Sequence, residues 1–192
     1  HTYLYDENFG FMADPAARDP DHTIHFGEKQ LPIKVYMRDY CHEFVTFLKE
    51  NKGSIEAVIY TSGVPEYTNM LLSLIDPKGE AFEHVLYQNA CHIFEKKDED
   101  IFMMIKDISR FDNRDLKKCI MLDPQPINFL LSPENGLPTI PYTAEYDQPD
   151  RKDNYLQALQ GQLEELSKMD NVRPFLKETY KIRNILKNSK LI

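Results

Sequence analysis

Apolar residues in this chain form short runs that alternate with segments of helical periodicity. The runs at 55–60 and 119–122 have the length and the aliphatic content of buried strands. Segments 40–49, 65–75 and 155–169 carry apolar residues three or four positions apart, which places them on one face of a helix. This alternation predicts an α/β fold, with a central parallel sheet flanked by helices.

A β-hairpin is predicted near the start of the chain. After a short strand near residues 2–5, extended runs at 23–26 and 33–37 flank Gly27 and Glu28. Glycine between two such runs favours a tight turn, because it adopts positive φ angles without strain. We therefore expect a β-hairpin insertion after the first strand.

The end of the chain is predicted to be helical. Pro174 suits the first turn of a helix, and we expect this helix to run to the C-terminus. The elements before it account for one domain over residues 1–176. Residues 177–192 are then a C-terminal helical extension.

Polar residues of three kinds stand at or near the ends of apolar runs. Thr61 and Ser62 follow the first run, Asp123 ends the second, and Lys106 lies in an apolar frame between them. In open α/β sheets, ligands bind at the carboxyl ends of parallel strands. We therefore expect Thr61, Lys106 and Asp123 to converge on one crevice.

These residues form motifs that resemble a known phosphatase family. Thr61-Ser62, Lys106-Asp107-Ile108-Ser109 and Asp123 resemble the second, third and fourth motifs of haloacid-dehalogenase-type (HAD) phosphatases, in the FCP/SCP or NLI-interacting-factor-like branch. Within this branch, the pattern is most similar to the presequence-receptor subunits of the mitochondrial inner-membrane translocase. The resemblance extends from Thr2 to about Leu176. Further matches are Tyr67, Asp76-Pro77, Cys91 and segments 113–115, 133–136 and 170–174.

The first motif departs from the pattern that the resemblance implies. Active members carry Asp-x-Asp-x-Thr after an opening strand; the first Asp attacks phosphorus and the second exchanges a proton. Here the match places Asp6 at the nucleophile, Asn8 at the acid and Gly10 at the threonine. A register shifted by two residues places Leu4 at the nucleophile and Asp6 at the acid. Either register leaves the catalytic pair incomplete, and losing positioned proton transfer costs roughly 10²–10⁴-fold in rate.

The fourth motif departs at the residue after Asp123. The resemblance implies Asp or Asn there, whose side-chain oxygen binds magnesium, whereas this chain has Pro124. Magnesium requires near-octahedral oxygen ligation, to which a proline side chain contributes nothing. We therefore expect no cofactor, or at most weak Mg²⁺ binding by the remnant carboxylates of Asp6 and Asp123. On this basis we interpret the chain as a pseudophosphatase.

The candidate residues also have purely structural interpretations. Thr61 suits the cap of a helix that begins near Pro65, since Ser and Thr accept hydrogen bonds from the first turn of helices. Lys106 suits an ion pair with a neighbouring carboxylate, either Asp123 or Asp6. Asp and Pro together also favour turns, so Asp123 can open one. These alternatives require no ligand.

Composition limits the environment of the protein. Its 192 residues and 42% apolar content fit one globular domain. Three cysteines cannot form a disulfide framework, which favours a reducing compartment, and Cys91-His92 has no second Cys/His pair at metal-ligand spacing. The sequence contains no apolar run of about 18 residues, so we expect membrane contact only through a segment before His1.

Charge is unevenly distributed along the chain. The formal net charge of −8 argues against general nucleic-acid affinity, but the tail from Arg173 onward carries six Lys or Arg against only Glu178. We expect the apolar residues of this helix to dock on a partner, with its cations facing an acidic protein, lipid headgroups or RNA. The cations predicted to contact the partner are Lys181, Arg183, Lys187 and Lys190.

Three functions stay open from the sequence. The favoured one is a catalytically inactive domain that binds proteins or has a structural role in a mitochondrial assembly, such as the presequence translocase or another large complex. The second is a weak magnesium-dependent phosphoprotein phosphatase. The third is an RNA-contacting subunit that uses the basic C-terminal helix. The resemblance implies protein partners and a mitochondrial location.

Overall fold

The structure of the chain is a computed structural model that describes residues 2–4, 18–96, 101–144 and 152–189. Within these ranges the chain forms nine strands and five α-helices. The helices are α1 (Cys41–Glu50), α2 (Pro65–Ile75), α3 (Tyr155–Ser167), α4 (Arg173–Tyr180) and α5 (Ile182–Asn188). The strands are β1 (Thr2–Leu4), β2 (His22–Phe26), β3 (Leu31–Val35), β4 (Val58–Tyr60), β5 (His84–Leu86), β6 (His92–Lys96), β7 (Ile101–Ile105), β8 (Met121–Asp123) and β9 (Gly136–Pro138).

The predicted hairpin is present as β2 and β3. The two strands pair antiparallel, and the turn between them contains Gly27 with φ of 73°, the conformation for which glycine is suited. β1 pairs antiparallel with the other edge of β3, so the sheet order is β1-β3-β2. Ile33, Val35 and Tyr36 are buried, and they anchor this sheet to the rest of the molecule.

Two parallel pairs, β4–β5 and β8–β9, form the part of the structure that positions the candidate site. They confirm the predicted α/β class with parallel strands. The described strands, however, form four separate hydrogen-bonded sheets rather than one continuous central sheet. The fourth is the antiparallel hairpin β6–β7, which the sequence pattern did not predict. In the sequence, acidic residues at 98–100 separate its two apolar segments.

The main core lies between helices and parallel strands. Leu137 of β9 packs against one face of α1, α3 and α4, and most of these side chains expose less than a tenth of their surface. Each fully buried aliphatic side chain contributes about 1.5–3 kcal/mol to folding. The buried members of this cluster are Phe47, Leu48, Leu137, Leu159, Leu163, Leu166, Val172 and Leu176.

A guanidinium joins the hairpin sheet to the helical layer. Arg38, which follows β3, pairs with Asp153 at 2.7 Å (Nε to Oδ2) and donates to the carbonyl of Ile140 at 2.7 Å. Its charge also lies 4.2 Å from the centre of the Tyr155 ring, at the start of α3. Arginine suits this position because its planar group can stack on a ring while its edge donates hydrogen bonds.

Asn135 and Gly136 allow β9 to lie close to its neighbours. The buried Asn135 side chain donates to the carbonyls of Leu116 and Cys119, at 2.6 and 2.8 Å, so its burial leaves no donor without a partner. A Cβ atom on Gly136 would lie 2.6 Å from the Phe129 ring. Only glycine therefore fits at the start of β9.

The C-terminal segment differs from the prediction in two ways. It forms two helices rather than one, because Lys181 adopts the left-handed conformation (φ 50°) between α4 and α5. Ile182 and Leu186 of α5 are almost fully buried in the protein's own core, against Phe129. The expectation that these two apolar residues dock on a partner is therefore wrong. The division of the chain at residue 176 stays a prediction.

We expect Leu186→Ala to lower the free energy of unfolding by about 2–5 kcal/mol, because the truncated side chain leaves a cavity beside Phe129. The matched control is Ile185→Ala, since Ile185 is 39% exposed on the same helix. That control should change stability by less than about 0.5 kcal/mol. Urea unfolding followed by circular dichroism measures both. Equal effects of the two variants would show that α5 does not belong to the core.

Gly136→Ala should also destabilise the fold, because the new methyl group would overlap the Phe129 ring and press on Ile182 at 3.0 Å. We expect a loss of about 1–3 kcal/mol, typical of overpacking. Gly161→Ala in α3 is the matched control, because nothing lies within 4 Å of its Cβ position. Alanine should there stabilise the helix by about 0.5–1 kcal/mol. Thermal melts that show opposite signs for the two variants would agree with this packing, and equal signs would contradict it.

Candidate functional site

A buried ion pair marks the centre of the site. Lys106 follows β7 and Asp123 ends β8, and Nζ of Lys106 lies 2.5 Å from Oδ2 of Asp123. The two side chains expose only 15% and 5% of their surface. The second carboxylate oxygen of Asp123 accepts a hydrogen bond from the backbone N–H of Gln125 at 2.8 Å. The structure thus brings together two of the three residues expected to converge.

Thr61 begins a tight turn directly after β4. Its Oγ1 accepts a hydrogen bond from the N–H of Gly63 at 3.0 Å, and the carbonyl of Gly63 accepts one from Gln88 at 3.1 Å. α2 has Val64 at its N-cap, and no side chain caps it. The structural interpretation of Thr61 as a helix cap is therefore wrong. Its hydroxyl closes the turn and can still donate its own hydrogen to a ligand.

Cys91 contacts the turn that begins at Thr61. Its Sγ lies 3.6 Å from the carbonyl oxygen of Thr61, within hydrogen-bonding range for a thiol. Burial raises the pKa of the Cys91 thiol, and the nearby charge of Lys106 opposes this effect only in part. The thiol is therefore protonated at neutral pH and donates to Thr61.

Asp6 and Asn8, the candidates for nucleophile and acid, lie outside the described residues, and their roles stay predictions. The strand before them is described. β1 runs antiparallel to β3 in the hairpin sheet and does not pair with β4 or β8.

Magnesium is not accommodated by the described residues alone. Both oxygens of Asp123 already have partners, and the exposed Pro124 offers no side-chain oxygen. In the ranges that the structure describes, His, Cys, Asp and Glu side chains form no group of three that could hold a metal ion. Octahedral ligation requires more oxygens than Asp123 supplies.

The basic residues predicted to contact a partner lie on α5 and just before it. Lys181, Arg183 and Lys187 are exposed, whereas Lys190 is outside the described residues. Arg183 lies 3.3 Å from Glu134, which also pairs with Arg173 at 2.8 Å. Burial raises the pKa of Glu134, but the two guanidinium groups outweigh it and hold that pKa below its usual value. This carboxylate is therefore charged and orients Arg183 on the surface.

Tyr60 belongs to the site and was not predicted from the sequence. It ends β4, and its hydroxyl donates to the carbonyl of Ala90 at 2.7 Å and accepts from the N–H of Asp107 at 3.2 Å. The available signal was a phenol at the end of an apolar strand, since a buried tyrosine hydroxyl usually has a hydrogen-bond partner.

Among the described helices, none is long and apolar enough to cross a membrane.

Several curated proteins are similar to this chain. "CTD small phosphatase-like protein 2" of Dictyostelium discoideum is 28% identical over 143 residues, which cover 74% of this chain and 23% of that protein. "Carboxy-terminal domain RNA polymerase II polypeptide A small phosphatase 2" of Mus musculus is 31% identical over 140 residues, covering 73% and 46%. "Mitochondrial import inner membrane translocase subunit TIM50" of Debaryomyces hansenii is 28% identical over 92 residues, covering 48% and 18%. The chain therefore spans less than half the length of each of these relatives.

Solved structures were also found to be similar. "The Structure of Fcp1, an essential RNA polymerase II CTD phosphatase" has a TM-score of 0.47 and 18% identity, and the alignment covers 88% of this chain and 42% of that one. A second Fcp1 structure, from fission yeast and bound to beryllium fluoride, has a TM-score of 0.45 and 16% identity, with coverage of 88% and 45%.

One family description matches most of the chain. The profile "NLI interacting factor-like phosphatase" matches residues 11–173. The interpretation as a pseudophosphatase is therefore wrong, since this family and the relatives from Dictyostelium and mouse are named as phosphatases. Asn8 stands where the family pattern has the proton-exchanging Asp, and Pro124 stands where it has a magnesium-binding Asp or Asn. Lys106 and Asp123 match the pattern and pair with each other. The family predicted from the motifs is confirmed, and the chain belongs to the HAD-like NLI interacting factor-like phosphatases.

Proposed function

We propose that this chain is a phosphoprotein phosphatase. The observation that carries the proposal is the ion pair of Lys106 with Asp123, which holds a largely buried cation at the end of β8. Charge-assisted hydrogen bonds from lysine suit the oxygens of a phosphoryl group. Relatives named as carboxy-terminal domain phosphatases support a protein substrate.

The described residues supply binding and charge stabilisation. Lys106 neutralises charge on the phosphoryl group, and the Thr61 hydroxyl donates a second hydrogen bond to it. Asp123 holds the ammonium of Lys106 in place through the 2.5 Å contact. Asp6 stays the candidate nucleophile from sequence. Because Asn8 cannot exchange a proton, we expect turnover to be slower by roughly 10²–10⁴-fold than with an acid at that position.

Phosphatases of this family typically use magnesium, and the remnant carboxylates Asp6 and Asp123 are the candidates to bind it here. The described geometry around Asp123 does not require the ion. The rate of hydrolysis should therefore be measured both with and without magnesium.

We expect hydrolysis of an aryl phosphate in the presence of magnesium, and we expect Lys106→Met to lower kcat by at least about 10²-fold, as loss of one charge-stabilising donor does. The matched control is Lys49→Met. Lys49 also pairs with a carboxylate, that of Glu80, but it is exposed and lies far from Lys106 in the sequence. That variant should keep full activity. Asp6→Asn tests the predicted nucleophile in the same assay.

Circular dichroism must show that the Lys106→Met variant is folded, since it leaves Asp123 buried without its cation. Activity of the wild-type protein that survives Lys106→Met would contradict the proposed role of Lys106. Absence of any hydrolysis by the folded wild-type protein, with aryl phosphates and with phosphopeptides, would contradict the phosphatase proposal itself.

We also propose that the exposed cations of α4 and α5 bind an acidic protein partner. Between residues 173 and 189, Lys177, Lys181, Arg183 and Lys187 are exposed, and Glu178 is the only acidic residue. Because Ile182 and Leu186 are committed to the core, these cations and the partly exposed Phe175 and Ile185 are left for a partner. A protein partner is favoured over RNA by the similarity to a protein named as a translocase subunit.

Binding through this surface should weaken steeply as salt is raised, because exposed charges are screened. We expect Lys181→Glu together with Lys187→Glu to release the protein from its native complex on sedimentation. Lys29→Glu with Lys78→Glu, which makes the same charge change at exposed turns, is the control and should stay bound. Release by ribonuclease treatment would indicate RNA instead, and retention of the Lys181/Lys187 variant would contradict the surface altogether.

A mitochondrial assembly is a further part of the proposal. It is supported by the similarity to a subunit named for mitochondrial import and by the motifs shared with that branch. The other relatives named above carry no such description. Fractionation of cells that express the protein from its own gene tests the location directly, and recovery in the nuclear fraction alone would contradict it.

A further inference from the structure

Tyr60 joins three segments of the site through one hydroxyl group. It donates to the carbonyl of Ala90 at 2.7 Å and accepts from the backbone N–H of Asp107 at 3.2 Å. Its ring also lies 6.0 Å from the ring of Phe111, centre to centre, in a tilted arrangement. The end of β4, the turn before Cys91 and the loop after β7 are thereby connected.

The backbone of Lys106 is held on both sides. Ile105 before it is completely buried, and Asp107 after it donates its N–H to the Tyr60 hydroxyl. The Asp107 carboxylate in turn accepts from the N–H of Ser109 at 3.0 Å and begins the next turn. Tyr60 thus reaches Asp107 from a different strand, whereas Ser109 belongs to the same loop. The Tyr60 hydroxyl is therefore well placed to fix the backbone from which the Lys106 side chain extends.

The Tyr60 hydroxyl keeps its hydrogen under ordinary conditions. Burial raises the pKa of this phenol, and the hydrogen bond from Asp107 only partly opposes the shift. A protonated hydroxyl can donate to Ala90 and accept from Asp107 at the same time. Phenylalanine could do neither, although its ring would fill the same space.

We propose that Tyr60 is a positioning residue for Lys106, and that its hydroxyl sets the affinity of the site for a phosphoryl group. The inference rests on the proposed function for the role of Lys106 as the phosphoryl-binding cation. Tyr60 itself does not contact the substrate. It acts through the backbone of Asp107, which places the Lys106 ammonium relative to Asp123.

The test compares Tyr60→Phe with Tyr87→Phe in otherwise native protein. Tyr87 is a matched control, because its hydroxyl also donates one hydrogen bond, to Asn69 at 2.8 Å, and this bond lies away from the Lys106 loop. Two quantities are measured for each variant. One is the dissociation constant for inorganic phosphate, and the other is the NMR signal of the Lys106 ε-methylene in protein labelled at lysine.

We expect Tyr60→Phe to weaken phosphate binding about tenfold, the size of one or two lost hydrogen bonds, and to shift the Lys106 signal. Tyr87→Phe should change neither. In a Lys106→Met background, Tyr60→Phe should have no further effect on phosphate binding, because the cation that it positions is gone. A general structural role would instead weaken binding equally in both backgrounds.

The two proposals fail in different ways. Wild-type protein that does not bind phosphate would contradict the proposed function, while the Lys106 signal would still test whether Tyr60 positions this side chain. A Lys106 signal that is unmoved by Tyr60→Phe, or that moves as much in Tyr87→Phe, would overturn the inference. Reverting the substitution, so that tyrosine again occupies position 60, is expected to restore both measurements.

Discussion

The contact between Lys106 and Asp123 is the interaction on which the site depends. Two charges that are largely withdrawn from water are stable only while they face each other, because removing one leaves the other without solvation. The ends of β7 and β8 must therefore meet in one arrangement. In the proposed function, a phosphoryl group that approached Lys106 would meet a cation that is already oriented and largely dehydrated, so little reorganisation would be needed.

Several uncharged residues allow the strands and loops of the site to adopt this arrangement. Asn135 satisfies two backbone carbonyls inside the core, and Gly136 lets β9 approach Phe129, so that β8 can pair with β9 and end at Asp123. Cys91 and Tyr60 connect the neighbouring loops through a thiol and a phenol. The site is thus held by hydrogen bonds from three different elements as well as by its ion pair.

Much of the fold could be predicted from residue patterns, and the failures have identifiable physical causes. α2 begins at the predicted Pro65, where proline fixes φ and lacks the N–H that a first turn does not use. The break at Lys181 was missed because a lysine adopts positive φ there, where glycine would be the usual signal. The burial of Ile182 and Leu186 depends on packing against Phe129, a contact between distant parts of the sequence that no local pattern reveals. Inactivity was wrongly inferred from single missing side chains, whereas the family match rests on residues 11–173.

The guanidinium of Arg38 has a consequence for how the molecule opens. Because Arg38 follows β3 and contacts Asp153, the carbonyl of Ile140 and the ring of Tyr155, the hairpin sheet cannot separate from the helical layer without breaking all three contacts. The hairpin sheet and the helical layer should therefore behave as one cooperative unit in hydrogen exchange, rather than as two that open independently. A small antiparallel sheet that would be marginal by itself thus shares the stability of the core.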